Sequence, residues 1–141
     1  MGGRCSALET PWWANLLRLT PSVDIVAFQD GVGVSAGKRS PEQASELIKA
    51  VSAAVAQQES NMSMWTDIEV FAHPNYTVAP TARFLSQLEL EWPYVSGATI
   101  WEWTAYMDPH GCSERNRVDC KRLYDDYRHY YLSRSEAEIR G

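Results

Sequence analysis

Three strand-like segments separated by two helix-like runs limit what this chain can become more than any other feature. The segments are Val23–Gly31 (VDIVAFQDG), Met64–Phe71 (MWTDIEVF) and Ala98–Trp103 (ATIWEW). The helix-like runs are Pro41 to Glu59 and Pro80 to Trp92. Strand, helix, strand, helix, strand is the pattern of a parallel sheet, because parallel neighbours need a long crossover that a helix supplies. Such sheets place their chemistry at the carboxyl ends of the strands. Carboxylates, Gln29 and tryptophans gather at those ends here.

The rest of the chain fits one domain over residues 1–132, followed by a charged tail, 133–141, expected to fray. A helix is expected over Leu8 to Leu19, with Thr10 as N-cap and Pro11 at its first position. Ser40 and Gln43 form a capping box ahead of the run Ala44, Leu47, Ile48, Val51, Ala54, Val55, which repeats at helical spacing. A last helix is expected from about Val118 to Leu132.

A net charge of −5 argues against nucleic acid as a partner, since phosphate binding needs a basic surface. No run approaches the roughly 20 apolar residues of a membrane span, and no secretory leader is expected in the first 20 residues. The opening MGGRCS fits the loose pattern for N-myristoylation, with Cys5 beside it. Asn61-Met62-Ser63 and Asn75-Tyr76-Thr77 are glycosylation sequons by pattern, and nothing in the sequence fixes the compartment. Cys112 and Cys120 could close a small loop or, with His110, contribute to a metal site. The spacing matches no common zinc pattern, so free thiols in a loop are expected and no metal or other cofactor is assigned.

Alternation along the middle strand sorts its residues by face. Thr66, Ile68 and Val70 should meet the helices, while Trp65, Asp67, Glu69 and Phe71 look into a barrel interior or cleft. Burying two carboxylates on an inner face is expensive unless they are paired or solvated, which marks this face as the candidate site.

The run Asp24 to Gly33, containing Gln29-Asp30-Gly31-Val32-Gly33, resembles a segment of an uncharacterised TIM-barrel family, the domain of unknown function 4434. The strand Trp65 to Phe71 and the ending Tyr106-Met107-Asp108-Pro109 resemble it too. The resemblance implies an α/β fold: a partial (β/α) TIM barrel made of about the last three βα units. It also implies a glycoside-hydrolase-like protein that binds, and could hydrolyse, a carbohydrate. The barrel's earlier strands have no counterpart in this sequence, so open sheet edges would need covering, for instance by self-association.

Glycoside hydrolysis generally uses two carboxylates, about 5–5.5 Å apart for retention and about 6.5–9.5 Å for inversion. Glu69, near the end of its strand, is the first candidate as nucleophile or general base; its alternative is a structural carboxylate bonded to a neighbouring strand. Asp30 is a candidate second acid or sugar clamp, or else an Asx-type stabiliser of the following turn. Glu102 is a third candidate, although strict alternation points it toward the helices unless a bulge intervenes. Gln29 would bond a sugar hydroxyl. Asp67 sits a layer deeper, where an internal hydrogen bond is expected. Trp65, Trp101 and Trp103 would offer stacking surfaces, with His73 and Tyr106 on the loops above. The competing readings are a non-catalytic carbohydrate-binding module and a half-barrel that pairs with another chain.

Overall fold

The computed structural model describes residues 22–58 and 61–140, with side chains through 134. The expected Leu8–Leu19 helix and the lipidation pattern lie outside them. Strand β1 (Ile25–Gln29) leads into helix α1 (Pro41–Ala56), then β2 (Ser63–Glu69) and a small hairpin of β3 (Phe71–Ala72) and β4 (Thr77–Val78). Helix α2 (Thr81–Glu91) returns through a 3₁₀ turn to β5 (Gly97–Trp101), followed by the short α3 (Trp103–Tyr106) and the long α4 (Arg117–Arg140). The main sheet has three strands in the order β1-β2-β5, both pairings parallel. This is the α/β class expected, and its open parallel sheet is consistent with part of a barrel.

Sequence chemistry sets the element boundaries. Ser40 Oγ accepts from Gln43 N–H and Gln43 Oε1 accepts from Ser40 N–H, so the capping box starts α1 at Pro41. Its apolar stripe, Ala44, Ile48, Val51, Ala54 and Val55, packs on Met64, Val26 and Phe28 from the sheet. A second core gathers Ile68, Val70, Phe84, Leu88, Met107 and Leu123 under α2 and α4. Each fully buried Val, Leu, Ile, Phe or Met side chain among them contributes roughly 1.5–3 kcal/mol. Every one of these buried sheet residues lies on the helix side.

Three expectations change. Phe71 leaves the β2 strand, because Ala79 N–H bonds Val70 O and residues 71–78 turn back as a hairpin. Helix α4 continues past Leu132 to Arg140. The free-thiol expectation fails: Cys112 and Cys120 form a disulfide. Both cysteines sit in the second core beside Met107 and Leu123, so they meet where α4 begins rather than in a solvated loop. Among the described residues no group of three or more His, Cys, Asp or Glu side chains could hold a metal. No described helix is long and apolar enough to cross a membrane.

Candidate functional site

The face of the sheet away from the helices is a set of layers fixed by register. Ala27, Trp65 and Gly97 form the first; Gln29, Asp67 and Thr99 the second; Glu69 and Trp101 the third. Gly97 is required where it is, because a Cβ there would lie 2.7 Å from the Trp65 ring. In the second layer Thr99 Oγ1 donates to Asp67 Oδ1 at 2.8 Å, a bond exposed on the open face. This face stays open at its margins: Ile25 is 46% exposed and Trp101 52%.

Glu69 closes the polar ladder and is fully buried. Gln29 Nε2 donates to its Oε1 at 2.8 Å, and the Val34 backbone N–H donates to its Oε2 at 2.7 Å. The loop carrying Val34 lies close over the strand end. A Cβ on Gly33 would come within 2.5 Å of the Phe71 carbonyl and 3.0 Å of Glu69 Oε2, so only glycine fits. Gly33 O also accepts from His73 N–H at 2.9 Å. Beyond Glu69 stands an aromatic rim. Phe71 packs on Tyr76 (5.8 Å between centroids) and Tyr106 (5.5 Å), and His73 meets Tyr76 edge-on at 5.1 Å. Glu102 is exposed at this rim, following the cis Trp101–Glu102 peptide. Burial, then the Glu102 charge and Tyr76, push the Tyr106 hydroxyl upward from its ordinary pKa.

The site residues expected from sequence therefore divide. Gln29, Trp65, Asp67, Glu69 and Trp101 share the open face, with His73, Tyr106 and Glu102 at its upper end. Asp30 does not join them. It faces the helices, fully buried, with Oδ1 accepting from Val32 N–H at 3.1 Å and Oδ2 accepting from Gln87 Nε2. Burial above all, opposed by those bonds and reinforced by the Glu69 charge, raises its pKa to about 6. Its geometry is that of the Asx-type turn alternative. Trp103 also turns away: as part of α3 it packs edge-on against Tyr124 and Tyr127 of α4, at 5.8 and 6.5 Å.

Sequence reasoning missed the supports behind this arrangement. Arg83 on α2 donates to the Glu69 and Phe71 carbonyls at 2.8 and 2.7 Å, clasping the backbone on either side of Val70. Gln87 and Glu91 lie fully buried on the same helix. Their signal was legible: Phe84, Gln87, Leu88 and Glu91 fall at helical spacing, so two polar residues interrupt an apolar stripe. Two hollows, of about 630 and 330 Å³, lie elsewhere and do not border Glu69. One runs along α4 from Pro109 to Asp125, and the other sits between α2, β5 and the α4 tyrosines.

A family model, described as domain of unknown function (DUF4434), matches residues 6–113, well over half of the chain. The chain belongs to this family. The match takes in β1, β2, β5 and the whole open face, and stops just before α4. No curated protein and no solved structure matches the chain.

Proposed function

We propose that the open face of this DUF4434 domain binds a carbohydrate, with Trp101 as the stacking surface and Gln29, Asp67 and Glu102 as hydroxyl partners. The observation that carries this reading is the half-exposed Trp101 ring standing in register beside the Gln29–Glu69 pair at the carboxyl end of a parallel sheet. Sugars present apolar C–H faces to aromatic rings and hydroxyls to carboxylates and amides, and this face offers both within two layers. Titration with a panel of neutral oligosaccharides, followed by amide chemical shifts, tests it. Trp101→Ala should weaken binding about tenfold, the equivalent of about 1.4 kcal/mol. Absence of binding by every oligosaccharide, or a Trp101→Ala variant that binds as well as wild type, would sink the reading.

Hydrolysis is the second reading, favoured by Glu69 and Glu102 standing at the carboxyl ends of the neighbouring strands β2 and β5. Glu69 would serve as nucleophile or base and Glu102 as acid. Both Glu69 oxygens are already occupied, so a sugar reaches them only if the Val34 loop lifts. Glu69→Gln separates the two: an enzyme loses turnover and keeps binding, whereas a binding module has no turnover to lose. Among the described residues β5 stands at the end of the sheet order, paired on one side with β2. Sedimentation at rising concentration would reveal whether that edge draws two chains together, and a monomer throughout would exclude it.

A further inference from the structure

Behind the sheet, opposite the open face, α2 carries Gln87 and Glu91 one helical turn apart, both fully buried. Thr66 Oγ1 donates to Glu91 Oε2 at 2.5 Å. Gln87 Nε2 donates to Asp30 Oδ2, and Asp30 Oδ1 accepts from Val32 N–H at 3.1 Å. Two acceptors in this cluster are left over. Gln87 Oε1 and Glu91 Oε1 are both shut off from solvent and have no hydrogen-bond partner. Buried polar atoms are almost always satisfied, so a coincident pair on successive turns of one buried face calls for a donor. A carboxylate has no hydrogen to give, but a carboxylic acid has one.

We infer that Glu91 is held as a neutral acid whose Oε1–H donates to Gln87 Oε1. One proton then satisfies both orphaned atoms. It also makes Thr66, Glu91, Gln87, Asp30 and Val32 a continuous hydrogen-bonded strut from β2 through α2 to the end of β1.

The surroundings agree with a neutral group. The charged side chain facing Glu91 is Asp30, at the end of β1, and it is an anion. Asp30 in turn feels the charges of Glu69, on β2, and of Arg83. Arg83, on α2 itself, donates from Nη2 to the Glu69 and Phe71 carbonyls, and its Nε is buried without a partner. From α1 the group presented is the neutral Ser45 hydroxyl, which donates to Leu90 O. Burial first and the Asp30 charge second raise Glu91 to about 8, whereas Asp30 stands at about 6. Both Asp30 oxygens accept hydrogen bonds while Glu91 Oε1 has none, so the geometry puts the proton of the pair on Glu91.

The strut reaches the open face through the backbone. Asp30 O accepts from Arg39 Nη1 at 2.9 Å, and the loop between those residues brings Val34 N–H to Glu69.

The proton makes a signed prediction. Glu91 binds its proton more tightly folded than at its ordinary value of 4.5, so its contribution is full below about 4.5 and is lost as pH rises through about 8. Glu91→Gln tests this, because the glutamine amide donates to Gln87 at every pH while its oxygen still accepts from Thr66. Denaturation midpoints should fall for wild type between about pH 6 and pH 9, and Glu91→Gln should gain on wild type across that interval. Parallel pH profiles for the two proteins would overturn the inference. Infrared spectra of the full chain supply the second readout. Wild type at neutral pH should show a protonated-carboxyl C=O band that disappears as the pH passes about 8. Absence of that band at neutral pH would overturn the inference even if Glu91→Gln fails to fold. Neither readout involves sugar, so this inference and the carbohydrate reading fail separately.

Discussion

Gln29 and Asp30 are neighbours in the chain and belong to opposite sides of the same sheet. Gln29, exposed, meets Glu69 on the open face, where a half-exposed tryptophan and a Thr–Asp bond complete the ladder. Asp30, fully buried, meets Gln87 on the helix face beside Glu91 and Thr66, in a cluster without solvent contact. The same residue types do different work on the two sides. Among packed helices a carboxyl group must be bonded or neutralised, so its role is to fix one geometry. On a face with open margins a carboxylate outside the buried strand end, such as Asp67, can exchange partners with water or a ligand. A carboxylate at a strand end is thus a site candidate only once its side of the sheet is known.

The comparison breaks most severely if the helix-side packing is removed. Phe84→Ala should cost about 3–5 kcal/mol, while Ile25→Ala on the open face should stay within about 0.5 kcal/mol, both measured by urea denaturation. Equal losses would mean that the open face is a packed interface in solution. Replacing both Cys112 and Cys120 by alanine should cost about 2–4 kcal/mol, and reducing agent should lower the wild-type stability alone. Glu69→Ala leaves the Gln29 amide and the Val34 N–H without their acceptor and should cost about 1–3 kcal/mol, with faster exchange of the Val34 amide. The smallest effect should come from Thr99→Val, which removes an exposed bond to Asp67 and should cost about 1 kcal/mol or less. A larger loss there would show that the second layer is drier than its exposure implies.

Much of the fold could be read in advance because local rules govern it. The Ser40–Gln43 capping box, the apolar stripe of α1 and the alternation through β2 each depend on spacing alone, and each holds. Alternation also placed Trp65, Asp67 and Glu69 on one face. It loses its hold where strands end. Glu102 and Trp103 were read as strand, but β5 stops at Trp101 and the chain winds into α3, which delivers Trp103 to the tyrosines of α4. The disulfide was equally out of reach, since two cysteines eight residues apart bond or not according to where a distant core draws them.

The sequence by itself determined the strand–helix alternation, the caps and the face on which each β2 residue lies, because periodicity and backbone sterics act within a few residues. Only the tertiary structure decided that Asp30 belongs to α2, that Glu69 is shared between Gln29 and the Val34 amide, and that Glu91 lies buried beside Thr66. Those outcomes depend on which side chains meet across intervals of 25 to 57 residues. At such range the cost of leaving a buried polar atom unpaired, rather than any local preference, selects the partner.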